Sequence, residues 1–137
     1  MALLFPSKEM LLVLIFSISF IHFGSSDSIY DYVYDIEIYN GSPHTSLVTT
    51  CETTVMPLGT ITIKPRSPQI FQCPWLVGEY NKLTCDLSLG KLHGGFTFFD
   101  HDRDFKRCKG LSCSWMVNER GVYMKKDGRV VFHYRWP

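Results

Sequence analysis

The residues most capable of chemistry are Cys108 and Cys113, which lie five positions apart and are followed by Trp115. Such a cluster suggests a metal knuckle, a redox pair or part of a disulfide framework. Zinc knuckles need two closely spaced pairs of Cys or His, and a redox dithiol is normally C-x-x-C at the start of a helix. The other three cysteines form no second close pair. We therefore expect no metal and no cofactor.

The stretch DHDRDFKR, residues 100–107, begins like an EF-hand calcium loop, with alternating aspartates. The sixth and twelfth positions of such a loop need Gly and Glu, but they hold Phe105 and Leu111. Adventitious calcium binding stays open. We interpret the stretch as a solvated inter-strand loop, and as a candidate recognition loop, because loops on rigid scaffolds carry binding residues. Its candidate residues are Asp100, His101, Asp102, Arg103, Asp104, Lys106 and Arg107.

Histidines capable of general acid–base catalysis are present at positions 44, 93, 101 and 133, as a two-histidine nuclease would require. None lies in a stretch typical of a catalytic motif. The sequence also has no G-x-S-x-G, no H-E-x-x-H and no glycine-rich phosphate loop. A paired-carboxylate glycosidase is not excluded by spacing alone. We expect no catalytic residue, and the net charge of +1 argues against a nucleic-acid partner.

The first 26 residues are typical of a secretory signal peptide. Lys8 supplies positive charge, residues 10–23 form an apolar run, and Gly24 and Ser26 suit a cleavage site after Ser26. The run is shorter than a membrane span, so an uncleaved anchor is disfavoured. We therefore expect a secreted, extracellular protein whose single domain comprises residues 27–137, with no membrane insertion after cleavage.

Two-residue alternation of apolar side chains dominates this region. Ile36 and Ile38 alternate with acidic residues. In a later alternating segment, Leu83, Cys85 and Leu87 lie on one face. Such alternation predicts strands with one buried face. Turn residues separate the runs, including an Asp-Gly pair at 127–128 that favours a type I′ hairpin. The pattern predicts an all-β fold, a small antiparallel β-sandwich of about eight strands.

The order of these features resembles the plant self-incompatibility S1 family, also called S-protein homologues, over roughly residues 33–125. The residues that carry the resemblance are Ile36, Ile38 and Asn40; Cys51 followed by Leu58-Gly59; Phe71 and Trp75; Leu83-Thr84-Cys85; an F-x-F strand; and Cys108, Cys113, Trp115 and Gly121. The chain departs from the family pattern at Thr50, where the family usually has His, and at Cys73, which replaces an aromatic residue.

The resemblance implies a small secreted β-sandwich that is not an enzyme. It further implies a signalling ligand that recognises an extracellular or membrane-displayed receptor through its inter-strand loops. A secreted defence or carbohydrate-binding module of the same fold is the alternative, and an enzyme is a more distant third. We expect a monomer.

Four cysteines shared with the family imply two structural disulfides in a secreted domain of this size. Three pairings are possible. A hairpin between the strand of Cys85 and the F-x-F strand would bring Cys85 towards Cys108, leaving Cys51 for Cys113, and we adopt that pairing as the expectation. Trp115 is expected in the core, over a disulfide that joins the two sheets.

Two further residues are candidates for modification. Cys73 alternates with Phe71 and Trp75 on the expected core face, so we predict a buried free thiol, with an intermolecular disulfide as the alternative. Asn40 begins the sequon Asn-Gly-Ser, which makes it a candidate N-glycosylation site, although the proline at position 43 should reduce its use.

Overall fold

The computed structural model describes residues 32–75 and 81–137, which form nine β-strands, one short helix and one 3₁₀ turn. The strands are β1 (Tyr32–Asn40), β2 (Leu47–Thr53), β3 (Pro57–Ile63), β4 (Ser67–Trp75), β5 (Lys82–Leu89), β6 (Leu92–Asp100), β7 (Ser112–Asn118), β8 (Gly121–Lys126) and β9 (Arg129–Tyr134). The helix α1 spans His101–Asp104, and the 3₁₀ turn spans Lys109–Leu111. The predicted signal peptide lies outside the described residues and stays a prediction.

The described strands form two sheets. The first has the order β4-β1-β7-β8-β9, and the second has the order β3-β2-β5-β6. Neighbouring strands are antiparallel except for β1 and β7, which run parallel. The all-β sandwich is therefore confirmed, with one strand more than expected in the described part of the chain.

Burial follows the two-residue alternation that the sequence predicts. In β2, Leu47, Thr49 and Cys51 point inwards, whereas Val48 and Thr50 are exposed. This pattern arises because successive side chains of a strand point to opposite faces of its sheet. It gives each sheet one apolar face, and the two apolar faces enclose the core.

Aromatic contacts join the two sheets across that core. The ring of Trp115 in β7 meets the ring of Phe98 in β6 edge to face, with centroids 5.3 Å apart. Tyr34 of β1 and Phe99 of β6 make a second contact between the sheets, with centroids 4.5 Å apart and the ring planes tilted by 37°. Paired rings stabilise a core by about 0.5–1.5 kcal/mol beyond their area. The core position of Trp115 is confirmed, but its partner is a phenylalanine rather than a disulfide.

The β8–β9 hairpin turns at the predicted Asp-Gly pair. Both residues have positive φ, 51° at Asp127 and 76° at Gly128. A type I′ turn needs positive φ at both central positions, and Asp and Gly tolerate it better than other residues. The hairpin predicted from this dipeptide is confirmed.

Among the described residues, we find no helix with the length and apolar character required to cross a membrane.

Candidate functional site: an aromatic cleft beside the short helix

An open cleft lies where the start of β1, the end of β4, α1 and the 3₁₀ turn meet. Its volume is about 280 Å³. We call it the aromatic cleft, and its lining residues are Tyr32, Tyr34, Trp75, His101, Phe105 and Leu111. The pairing of β1 with β4 places Tyr32 directly opposite Trp75. The lining is almost entirely ring and aliphatic surface, which is typical of small-molecule and protein binding pockets.

Four rings in the aromatic cleft form a continuous stack. Tyr32 lies on Trp75 with centroids 5.4 Å apart, and Trp75 lies on His101 with centroids 4.2 Å apart and an angle of 7° between the planes. Phe105 continues the stack, 5.5 Å from His101. The two end rings remain open to solvent, since Tyr32 is 47% exposed and Phe105 is 50% exposed. Large exposed aromatic groups held in fixed positions are the common anchors of protein interfaces.

An ion pair centred on the buried Asp104 holds α1 in place. The carboxylate of Asp104 is fully buried and accepts hydrogen bonds from Nε and Nη2 of Arg103 at 2.8 Å and 2.7 Å. It also accepts a bond from the backbone N–H of Asp100 at 2.9 Å, and Nη1 of Arg107 lies 3.6 Å away. A buried carboxylate is tolerated only when it is paired and hydrogen-bonded in this way.

Arg103 links this ion pair to the rest of the sandwich. Its guanidinium donates to the hydroxyl of Tyr134 at 2.7 Å and to the carbonyl of Thr97 at 3.1 Å. Burial by itself would lower the pKa of Arg103, but the hydrogen bonds and the charge of Asp104 outweigh burial and raise it. The arginine is therefore a permanent cation that connects α1 to both sheets.

The structure corrects the interpretation of residues 100–107 as a solvated loop. Their centre is a helical turn, capped by the Asp100 side chain, which accepts a bond from the backbone N–H of Asp102. Asp104 is fully buried and forms an ion pair with Arg103, whose side chain is 24% exposed, so these two charges are turned mostly inwards. The pattern of alternating charge failed to show this, because it cannot distinguish a charge facing solvent from a charge with a buried partner.

The remaining candidates of this stretch have different environments. His101 lies within the ring stack, Asp102 and Lys106 are exposed, and Arg107 donates to the sulfur of Met124 at 2.7 Å. Within the described residues, no group of three or more His, Cys, Asp or Glu side chains is arranged to hold a metal ion. The calcium interpretation therefore has no geometric support in this stretch.

The disulfide pairing expected from the sequence is wrong. Cys51 is bonded to Cys85, and Cys108 is bonded to Cys113. The reason is that β5 has two neighbours in its sheet, and Cys85 faces Phe96 of β6 on one side and Cys51 of β2 on the other. The first bridge therefore lies within one sheet, and the second closes the short loop that contains the 3₁₀ turn. Neither bridge joins the two sheets.

Cys73 is a free, buried cysteine in β4, as its alternation with Phe71 predicted. Burial raises the pKa of its thiol to about 12. A thiol in this environment is neutral at physiological pH and therefore a poor nucleophile.

Asn40, the candidate glycosylation site, is fully buried at the end of β1. Its Nδ2 donates to the carbonyls of Thr45 at 2.9 Å and Ile63 at 3.0 Å, and its Oδ1 accepts from the backbone N–H of Ser42 at 3.0 Å. The Ser42 hydroxyl donates in turn to Glu119. A glycan on Nδ2 would break these bonds and open the core, so the folded domain has no room for it.

The histidines considered for catalysis are dispersed over the described fold. His93 lies in β6, where its Nδ1 is 2.8 Å from the Ser88 hydroxyl, and His133 lies in β9. His44 lies between β1 and β2, and His101 belongs to α1. Burial lowers the pKa of His133, and the nearby charges of two arginines act in the same direction. The four rings are thus carried by four different elements.

A second, more polar depression lies on the outer face of the β3-β2-β5-β6 sheet. Its volume is about 380 Å³. We call it the sheet groove, and its polar lining includes Thr50, Glu52, Thr84, Asp86 and Thr97. Three threonine hydroxyls and two carboxylates contribute to this lining, in contrast to the aromatic cleft.

Most of the aromatic cleft is not predicted by the sequence patterns. The strand pattern predicts Trp75 only as a core-face residue, and Phe105 and Leu111 enter only as mismatches to a calcium loop. One signal was available: Phe105 is an apolar residue in the middle of a charged stretch, where solvation alone favours a polar residue.

Comparison with known proteins gives one finding. The profile of the family described as plant self-incompatibility protein S1 matches residues 35–136. No curated protein and no solved structure matches the chain significantly. The matched region extends from β1 to the last residues after β9 and so includes both sheets and both disulfides. The chain therefore belongs to the plant self-incompatibility protein S1 family.

Proposed function

We propose that this protein is a secreted, non-enzymatic signalling ligand that recognises an extracellular or membrane-displayed receptor protein. In this proposal residues 1–26 are removed on secretion, and the aromatic cleft is the part of the surface that contacts the receptor. Membership of the self-incompatibility S1 family supports the mode of action. The choice of surface rests on the geometry of the cleft.

The observation that carries the proposal is the exposed ring stack. Tyr32 and Phe105 present about half of their surface to solvent, yet each is held against a neighbouring ring. Aromatic residues are enriched among the hot spots of protein interfaces, and rings held half-exposed in fixed positions supply such anchors. Burial of these rings by a partner supplies the affinity in this proposal.

Rigidity of the cleft supports the same conclusion. The Asp104–Arg103 pair holds α1 in place, and the Cys108–Cys113 bridge closes the segment that follows it. A preorganised surface loses little conformational entropy on binding, so more of the contact energy appears as affinity. The inward charges of residues 103 and 104 therefore position the recognition surface rather than contact the partner.

A carbohydrate-binding or defence role is the alternative, and the sheet groove favours it. Threonine hydroxyls together with Glu52 and Asp86 supply the acceptors and donors that sugar hydroxyls need. The rings of the aromatic cleft also offer flat apolar faces against which a sugar ring can pack. In this alternative the partner is a glycan or a cell-wall polymer instead of a receptor protein.

Binding of the fluorescently labelled protein to plant cells tests the proposal. We expect saturable binding that unlabelled protein displaces. Phe105→Ser should weaken this binding by about tenfold or more, since loss of an interface hot spot costs more than about 1–2 kcal/mol. Ile70→Ser is the matched control, because Ile70 is 55% exposed on β4 outside the cleft lining.

Two results would distinguish the alternatives. Equal binding by Phe105→Ser and Ile70→Ser would remove the cleft from the proposal. Direct binding to isolated wall polymers, lost in a Glu52→Gln/Asp86→Asn variant and unaffected by Phe105→Ser, would favour the carbohydrate-binding role.

A further inference from the structure

The edge strand β9 exposes three consecutive large apolar residues. Val130 and Val131 are each 49% exposed, and Phe132 is 52% exposed. Since neighbouring residues of a strand point to opposite faces, apolar surface is open on both faces of this edge. β9 is the last strand of its sheet, so one side of its backbone has no strand partner among the described residues. This edge lies on the opposite side of that sheet from β4, whose Trp75 lines the aromatic cleft.

The other three edges of the described sheets carry features that discourage strand pairing. β4 contains Pro68 and Pro74, and β3 begins with Pro57. At the β6 edge, an added Cβ on Gly94 would lie only 3.0 Å from the ring of Pro137, so the last residues of the chain lie against this strand. Prolines and covering segments are the usual means of blocking an exposed edge. β9 contains no proline, no glycine and no acidic residue. The register between β8 and β9 shifts at His133, which lies beyond the exposed residues Val130, Val131 and Phe132.

The sequence around β9 is self-complementary about Val131. In an antiparallel pairing with a second copy centred on this residue, Val131 faces Val131 of the other copy, and Val130 faces Phe132. Asp127 and Arg135 stand four positions from the centre on either side, so the same register brings opposite charges together twice, whereas Arg129 faces His133. Within one copy Asp127 accepts a bond from Nζ of Lys109 at 3.2 Å, so Arg135 of the second copy would share this carboxylate with Lys109. In a two-fold symmetric interface, the same surface of each copy contacts the other, so that surface must be complementary to itself. The apolar residues of β9 meet this requirement.

We propose that β9 pairs antiparallel with β9 of a second copy of this chain, forming a continuous sheet across a two-fold symmetric dimer. The backbone hydrogen bonds fix the pairing, and the contacts among Val130, Val131 and Phe132 exclude water from it. The dimer does not depend on the receptor-binding proposal, because the cleft is built on other residues.

The dimer is weak and depends on concentration. Half of the surface of three side chains amounts to roughly a few hundred Å² per copy, below the roughly 800 Å² per partner of a standard interface. We therefore expect monomer in dilute solution and dimer only at high concentration. Some transient signalling contacts lie at this low end of interface size.

Sedimentation velocity from low micromolar to millimolar concentration tests the proposal. We expect the mass to rise towards that of a dimer. Val131→Lys should raise the dissociation constant by about tenfold or more, because a lysine on an edge strand opposes pairing. Ile70→Lys is the matched control: it places the same charge at an equally exposed apolar position and should leave the dimer intact. Asp127→Asn should weaken the dimer less, since Asn suits the turn but lacks the charge.

Hydrogen exchange supplies an independent readout. Backbone amides of β9 that point away from β8 should gain protection as concentration rises, whereas exposed amides elsewhere should not. A monomer at every concentration would overturn the proposal, and so would a dimer that persists unchanged in Val131→Lys. In the first case the edge is free for a strand of another protein, and in the second the dimer uses another surface.

Discussion

The two disulfides should contribute unequally to stability, and the difference can be worked out from the loops they close. Cys51 and Cys85 lie opposite each other on β2 and β5, with Cα atoms 4.0 Å apart and a sequence separation of 34. Cys108 and Cys113 are separated by only 5 positions. The perturbation is removal of each bridge in turn, as Cys51→Ala/Cys85→Ala and Cys108→Ala/Cys113→Ala.

A disulfide stabilises a protein mainly by restricting the unfolded chain, and the effect grows with loop length. The chain-entropy relation gives about 4 kcal/mol for a separation of 34 and about 2 kcal/mol for a separation of 5. The difference, 1.5RT ln(34/5), is about 1.7 kcal/mol and does not depend on the constant term. Against a total of about 5–15 kcal/mol for a typical domain, loss of the longer bridge should be severe.

Comparing the two double-alanine variants with each other cancels most effects other than loop length. All four cysteines are buried, and each variant replaces two sulfurs with hydrogen, so the cavities left behind are similar. Alanine is preferred to serine because a serine hydroxyl would be buried without an assured hydrogen-bond partner.

Urea unfolding followed by tryptophan fluorescence measures the free energy of unfolding of each variant. The Cys51/Cys85 variant should be the less stable of the two by about 1–2 kcal/mol. Equal losses, or a larger loss for Cys108/Cys113, would refute the loop-entropy reasoning. Peptide mapping of the oxidised protein provides a separate check, because a fragment linking Cys85 to Cys108 would contradict the strand pairing itself.

Three further predictions concern buried polar groups. Cys73, with a pKa of about 12, should have roughly one thiol in 10⁴ ionised at a pH of about 8. Iodoacetamide should therefore label it readily only after denaturation, and fast labelling of the native protein would contradict its burial. Burial, with the charges of Arg103 and Arg107, lowers the pKa of His133, so the unfolded chain takes up this proton at a higher pH than the folded one. The melting temperature should accordingly fall as pH drops below about 6.5, and His133→Gln should flatten this dependence; an unchanged slope would exclude His133 as its source. Asn40 should carry no glycan, so endoglycosidase treatment of the secreted protein should leave its mass unchanged, and Asn40→Ala should lower the free energy of unfolding by about 1–3 kcal/mol.

Local patterns predicted the strands and the hairpin well. The alternation around Ile36 and around Cys85 corresponds to β1 and β5, and the Asp-Gly pair at 127–128 turns as expected. These features depend on neighbouring residues, and the two-residue period of a strand appears directly in the order of its side chains. Trp115 was placed in the core for the same reason.

The aromatic cleft could not be predicted this way. Tyr32 and Trp75 meet because β1 pairs with β4, and His101 reaches them because α1 folds back at the end of β6. Each contact joins residues that are distant in sequence. The charges of residues 100–107 misled the prediction for a related reason, since the ion pair between Arg103 and the buried Asp104 stabilises a helical turn that the charge pattern alone does not indicate.

The sequence by itself was sufficient to predict an all-β sandwich, the positions of most strands, the burial of Cys73 and membership of the S1 family. Only the tertiary structure decided which cysteines bond, where the aromatic cleft lies and that Asn40 is enclosed. The physical reason is the order of strands within the sheets. β2 lies beside β5, and β1 runs parallel to β7, through pairings between segments far apart in the chain. The energy of such pairings comes from the whole core, so the alternation of neighbouring side chains cannot predict them.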